Sequence, residues 1–162
     1  MESQPNLGQE WLQQLLIFMG LAAEVHTDDR AETAIADLNK WLNIDGSNLT
    51  PEQKQLLIGS KGESIDAIQY LANTILNLDQ DLAEQNSFVV ELDNYRARRN
   101  EELVRLTEEA IAKVEETGQE FEIVGLSSAE RKQIHCLLES REDLATESRG
   151  QEPNRRLVVL PQ

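Results

Sequence analysis

The chain has 162 residues, of which 15 are Lys or Arg and 30 are Asp or Glu, for a formal net charge of −15. That length suits one ordinary domain or two small ones, and a hydrophobic content of 40% is enough for packed cores, which argues against global disorder. The acidity argues against a coat for duplex DNA or for an anionic membrane. It is also uneven. Residues 1–93 hold 4 Lys/Arg against 16 Asp/Glu, a balance of −12, whereas residues 94–162 hold 11 against 14, a balance of −3. Attraction for a polyanion must therefore come from local clusters in the second half.

In chain order, Trp11, Leu12, Leu15, Leu16, Phe18, Met19, Leu21 and Ala22 have helical spacing, which predicts a helix from near residue 8 to about Gly20, with the first residues disordered. The stretch 11–23 is as apolar as a signal sequence. No Lys or Arg precedes it, however, Gln13-Gln14 interrupts it, and it is too short to span a bilayer. The expectation is a soluble cytoplasmic protein without membrane insertion. Residues 25–40 are the least legible; Ala31, Ala34, Ile35 and Leu38 fit a helix, a strand or an inserted loop. Trp41 to Asp45 alternates as a short strand, closed by Asp45-Gly46-Ser47.

Thr50-Pro51-Glu52-Gln53 is a capping signal for a helix through Leu56, Leu57 and Ile58 that stops at Gly59. A further helix after Gly62 carries Ile65, Ile68, Leu71, Ala72 and Ile75 at spacings of three and four. Ser87 to Asp93 reads as a strand. Tyr95 to about Thr117 reads as a long charged helix with Leu103, Leu106, Ala110 and Val114 inward. Phe121 to Val124 is a strand, Ser127 with Glu130 is a second capping box, 144–148 is a short strand, and Arg155 to Leu160 is a strand stopped by Pro161. There is no internal repeat. The order gives an α+β fold of two units, residues 1–93 and 94–162, with helices packed on short sheets.

Two motifs carry chemistry. In the helix opened by Ser127, Arg131 and His135 are four residues apart and share a face, offering a guanidinium for phosphate oxygens and a flat ring for a base. Lys132 lies about 100° off that face, within reach of a phosphate. Upstream, Gly59-Ser60-Lys61-Gly62 separates two helices; its glycines permit a sharp turn and close backbone approach, and Lys61 puts a cation at the tip. Each motif has a plain alternative, a solvated helix face and a simple helix–helix turn. Arg96, Arg98 and Arg99 open the long helix, where cations oppose the dipole, which favours a binding role. Arg149, Arg155 and Arg156 could complete a basic patch, although alternation sends Arg155 and Arg156 to opposite sides.

Trp11, Trp41, Phe18 and Phe121 are expected in the core, with Tyr95 the exposed aromatic. Cys136, the single cysteine, permits no disulfide; with His26 and His135 far apart it implies neither metal nor cofactor and is expected to be partly buried. No nucleophile elbow or Walker loop is present, so no enzyme is expected.

The segment from Leu57 to Leu71, with its Gly59-Ser60-Lys61-Gly62 turn, resembles the Gly-loop and following helix of a type II KH domain, and more narrowly that of the Jag (KhpB or EloR) family. In that family an Arg-xxx-His domain that binds single-stranded nucleic acid follows. The similar residues here are Asp93 to Arg99, Arg131 to His135, Glu147 to Gly150 and Pro153 to Arg156. The resemblance runs from Trp11 onward. It implies contacts to single-stranded RNA by Gly59, Ser60, Lys61, Gly62, Arg96, Arg99, Arg131, Lys132, His135, Arg149, Arg155 and Arg156. It further implies a post-transcriptional regulator or RNA chaperone linked to cell-envelope growth and division, with a small KH-domain protein as partner. The Gly-loop is less positive than is usual in the family. The N-terminal Jag domain of many members has no room before the first helix, so its functions are not carried over. The rival expectation is a protein-interaction adaptor that dimerises through the KH face, supported by the −12 of that half. A nuclease using His135 lacks a second acid or base.

Overall fold

The computed structural model describes residues 6–28 and 39–162; the pattern of Ala31, Ala34, Ile35 and Leu38 lies outside the described residues. The chain is α+β and divides into two compact units, Met1–Arg96 and Ala97–Gln162, each with a core of its own.

In the first unit, helix α1 (Leu7–Phe18) opens at Asn6, whose side chain accepts the Gly8 and Gln9 amides. Strand β1 (Val25–Asp28) runs antiparallel to β2 (Asn39–Ile44), and β2 runs parallel to β3 (Ser87–Leu92), with β2 in the centre. A parallel pair needs a crossover, and helices α2 (Pro51–Ile58) and α3 (Glu63–Leu76) supply it. Thr50 and Gln53 form the full reciprocal capping box at α2. Leu12 and Leu16 of α1, Leu42 of β2, Leu57 of α2, Ile65 of α3 and Val90 of β3 meet in the core.

Side-chain amides finish the edges of this sheet. On α3, Gln69, Asn73 and Asn77 are spaced by four and so stand in one row. Asn73 donates to the Phe88 carbonyl (2.8 Å) and accepts the Phe88 N–H (2.8 Å). Asn77 does the same for Asn86 (2.8 and 2.9 Å), and Gln69 accepts the Val90 N–H (3.1 Å). On the other edge, Gln13 of α1 accepts the Val25 N–H and donates to the Ala23 carbonyl, while Gln9 donates to the Val25 carbonyl. Both edges thus have helix side chains where an open sheet would present bare backbone.

In the second unit, strands β4 (Phe121–Ile123), β6 (Arg156–Pro161) and β5 (Leu144–Arg149) form an antiparallel sheet with β6 central. Helices α4 (Tyr95–Thr117) and α5 (Ser128–Leu138) bury Leu103, Ala110, Val114, Ile134 and Leu138 with Ile123, Leu157 and Val159. Pro161 belongs to β6 rather than stopping it, in register with Leu144. The next residue, Gln162, donates to Asp143 across the β5 side. By alternation Pro161 turns its donor-less nitrogen the other way, where β4, paired only at residues 157–159, does not reach.

Three side chains depart from the expectations above. Phe18 is 80% exposed at the end of α1, because Leu12 and Leu16 already fill the inward face. Tyr95 is partly buried against the first core. Cys136 is exposed, since Ile134 and Leu138, each two residues away, take the buried face of α5.

Candidate nucleic-acid interface

The turn between α2 and α3 requires its glycines. Gly59 has φ 75°, and a Cβ there would lie 2.4 Å from Ser64 Oγ and 2.7 Å from Ser64 N. Gly62 has φ 82°, and a Cβ there would lie 2.5 Å from Tyr95 Oη. Packing within the first unit therefore accounts for both residues before any ligand is invoked. Between them Lys61 takes φ 55°, a left-handed conformation rare for a side chain of this size, and stands exposed without an ion pair among the described residues. Asp66, one turn on, is engaged at 2.9 Å by Arg96, which reduces the repulsion facing an anion here.

Arg96 points inward. Its guanidinium donates to the Val90 carbonyl (2.8 Å), Asp66 (2.9 Å) and Gln69 (2.8 Å), tying α3 to β3. The buried Glu91 carboxylate accepts the Leu92 and Arg96 amides and so caps the start of α4. Arg99 grips Glu130 with two bonds (2.7 and 3.1 Å) and Glu102 with a third (2.9 Å). The Glu130 hydrogen bonds hold the Arg99 guanidinium above its ordinary pKa. Burial pushes the Glu130 carboxyl up, but the bonds from Arg99 and the Ser127 amide outweigh it and leave the group below its ordinary value. Arg149 is held by Glu147 and Glu120, and Arg156 by Glu122. These four cations of the sequence-level list are thus spoken for by carboxylates, a placement the sequence does not reveal because each has a partner from another element.

The remaining residues converge. A cleft of about 470 Å³ opens between α5 and β5, lined by Ser128, Arg131, Lys132 and His135 of α5, Thr146, Glu147 and Ser148 of β5, and Glu152, Arg155 and Leu157 beyond. Lys132 and Arg155 are exposed there and have no ion pair among the described residues. His135 is exposed, with Nδ1 against the Thr146 hydroxyl. Arg131, by contrast, is 5% exposed. Its Nη1 donates to the carbonyls of Leu126 (2.8 Å) and Arg155 (3.4 Å), and its Nη2 donates to Glu152. Sequence reasoning missed Thr146 and Ser148, although alternation along β5 puts both on one face. It also missed Glu152, which arrives from a loop.

Residues 101–161 match the family model of the Arg-xxx-His domain, the module named for an Arg and a His with three residues between them. The RNA-binding protein KhpB of Clostridium symbiosum is 27% identical over 150 residues, covering 93% of this chain and 63% of that protein. The RNA-binding protein KhpB of Lactiplantibacillus plantarum is 36% identical over 112 residues, 69% of this chain and 34% of its own. That of Bacillus subtilis is 27% identical over 150 residues, 91% and 69%. This chain belongs to the Jag (KhpB) family. It spans less than two thirds of the Clostridium and Lactiplantibacillus relatives. The Arg-xxx-His match contains the whole of α5, β5 and β6, and with them every residue lining the cleft. No helix among the described residues is long and apolar enough to cross a membrane.

Proposed function

We propose that this chain binds single-stranded RNA, without catalysis, through the cleft of its Arg-xxx-His unit. The observation that carries the reading is the cleft itself: two unpaired cations, Lys132 and Arg155, flank an exposed imidazole, in a chain whose other candidate arginines are largely taken up by carboxylates. Cations supply phosphate contacts and the His135 ring supplies a face for an unstacked base. The relatives' names as RNA-binding proteins support the choice of RNA. Arg131, on this reading, shapes the cleft from within.

The first unit acts as a type II KH module, contacting the RNA backbone through Gly59, Ser60, Lys61 and Gly62. Its element order, helix–strand–strand–helix–Gly turn–helix–strand, supports this, as does the exposed Lys61. The family resemblance extends the proposal to a cytoplasmic post-transcriptional regulator or RNA chaperone tied to envelope growth and division, with a small KH-domain protein as partner. A second reading applies to the first unit alone: Leu71, Ile75 and Leu78 are exposed on and after α3, which favours a dimerisation face there instead of RNA.

Ultraviolet crosslinking of the whole chain to RNA, with the attached peptides mapped, tests the proposal. Crosslinks in 131–135 and 146–157 are expected, with a second set at 59–63. A second set missing while the first is present supports dimerisation for the first unit. No crosslink at either place contradicts RNA binding.

A further inference from the structure

Glu152 is an unexpected lining residue for a phosphate-binding cleft, because a carboxylate repels phosphate. It comes from the turn between β5 and β6, its side chain is 58% exposed, and one carboxylate oxygen accepts from Arg131. Arg131 itself is fixed: a guanidinium 5% exposed, with two backbone carbonyls on Nη1, has no freedom to follow a ligand. The pair therefore holds a carboxylate in a set direction at the cleft, and the other oxygen is left without a protein partner among the described residues. Every other charged group lining the cleft is a cation or, in Glu147, a carboxylate already taken by Arg149.

RNA offers a carboxylate few things to accept. Phosphates are excluded by charge, and ribose hydroxyls are the same at every nucleotide. The base edges remain. Guanine alone places an imino N1–H beside an exocyclic N2 amino group, two donors side by side at the spacing of a carboxylate. We infer that Glu152, oriented by Arg131, reads the Watson–Crick edge of an unpaired guanine in the cleft. This rests on the RNA-binding reading above and adds a base preference to it. Arg131 is then a positioning residue. It touches the carboxylate that touches the base.

The test uses the whole chain and four short unstructured RNAs: a uridine tract, and the same tract with one central guanosine, inosine or adenosine. Inosine keeps N1–H and lacks the N2 amino group, so it probes the contact without altering the protein. The guanosine oligonucleotide is expected to bind about tenfold more tightly than the uridine tract, the low-to-middle range for a good bidentate base contact, with inosine between them. Glu152→Gln removes the preference for guanosine and leaves affinity for the uridine tract within about twofold. Arg131→Lys lowers the preference too, with thermal melting run alongside to separate loss of direction from loss of fold. Equal binding of all four RNAs by the wild type overturns the inference, as does a Glu152→Gln variant that binds all four more tightly by the same factor. That second result would make Glu152 an occupant of a phosphate position. Lys132→Ala separates the two levels: if it weakens every RNA alike, the cleft binds RNA whatever Glu152 does, and if it weakens none, the RNA-binding reading of the cleft fails as well.

Discussion

Glu130 closes the capping box of α5 through the Ser127 amide (2.8 Å) and holds Arg99 of α4 through two bonds, with its side chain only 12% exposed. One carboxylate therefore both starts the helix that carries the cleft and fastens it to its neighbour. Glu130→Gln keeps an oxygen for the cap but removes the charge facing Arg99, and should cost about 1–3 kcal/mol in denaturant unfolding, the range for hydrogen bonds to charged groups. The pH dependence has a definite sign. The folded carboxyl lies below its ordinary 4.5, so its contribution is complete above that value and is lost as pH falls through the lower folded value. Stability measured from pH 6 downward should fall more steeply in wild type than in Glu130→Gln, converging in strong acid. Parallel curves would mean that the Arg99–Glu130 pair contributes nothing to folding.

At the scale of elements, the amide row on α3 is a structural commitment that replaces a missing strand. Asn73→Ala should leave both the N–H and the carbonyl of the buried Phe88 without a partner, at a cost of about 1–3 kcal/mol per unsatisfied group. Asn73→Asp keeps the acceptor alone and should fall between; chemical denaturation of the three proteins checks the order. If Asn73→Ala unfolds at the wild-type midpoint, the amide row is decorative. Much of this architecture is legible beforehand. The Thr50/Gln53 and Ser127/Glu130 capping boxes locate the starts of α2 and α5, and glycine or apolar periodicity locates the long α4 and the strands. Gln69, Asn73 and Asn77 read only as polar helix positions, because pattern along a chain does not say what lies opposite. The site shows the same limit. Spacing and resemblance pick out Arg131, Lys132, His135 and Arg155, and these four share a cleft. That Arg131 is interior, and that Arg96, Arg99, Arg149 and Arg156 face carboxylates, depends on partners 2–34 residues away.

For the whole molecule, a net charge of −15 sets the condition under which any polyanion can bind. Long-range attraction is absent, so affinity must come from short-range contacts that survive within a Debye length, about 8 Å at physiological salt. Pairing of arginine with glutamate across the second unit narrows the field further, leaving Lys132 and Arg155 as the unpaired cations of the cleft. A small number of phosphate contacts implies a shallow dependence on salt. Each contact to a single strand contributes about 0.7 to the slope of log K against log salt. The most direct test is the affinity of the whole chain for one unstructured RNA, measured at several salt concentrations, for wild type and for the Lys132→Ala/Arg155→Ala double variant. The expected result is weaker binding at every salt concentration and a slope shallower by about 1.4, the share of two phosphate contacts. A double variant with wild-type affinity and wild-type slope would contradict the cleft as the RNA-binding face.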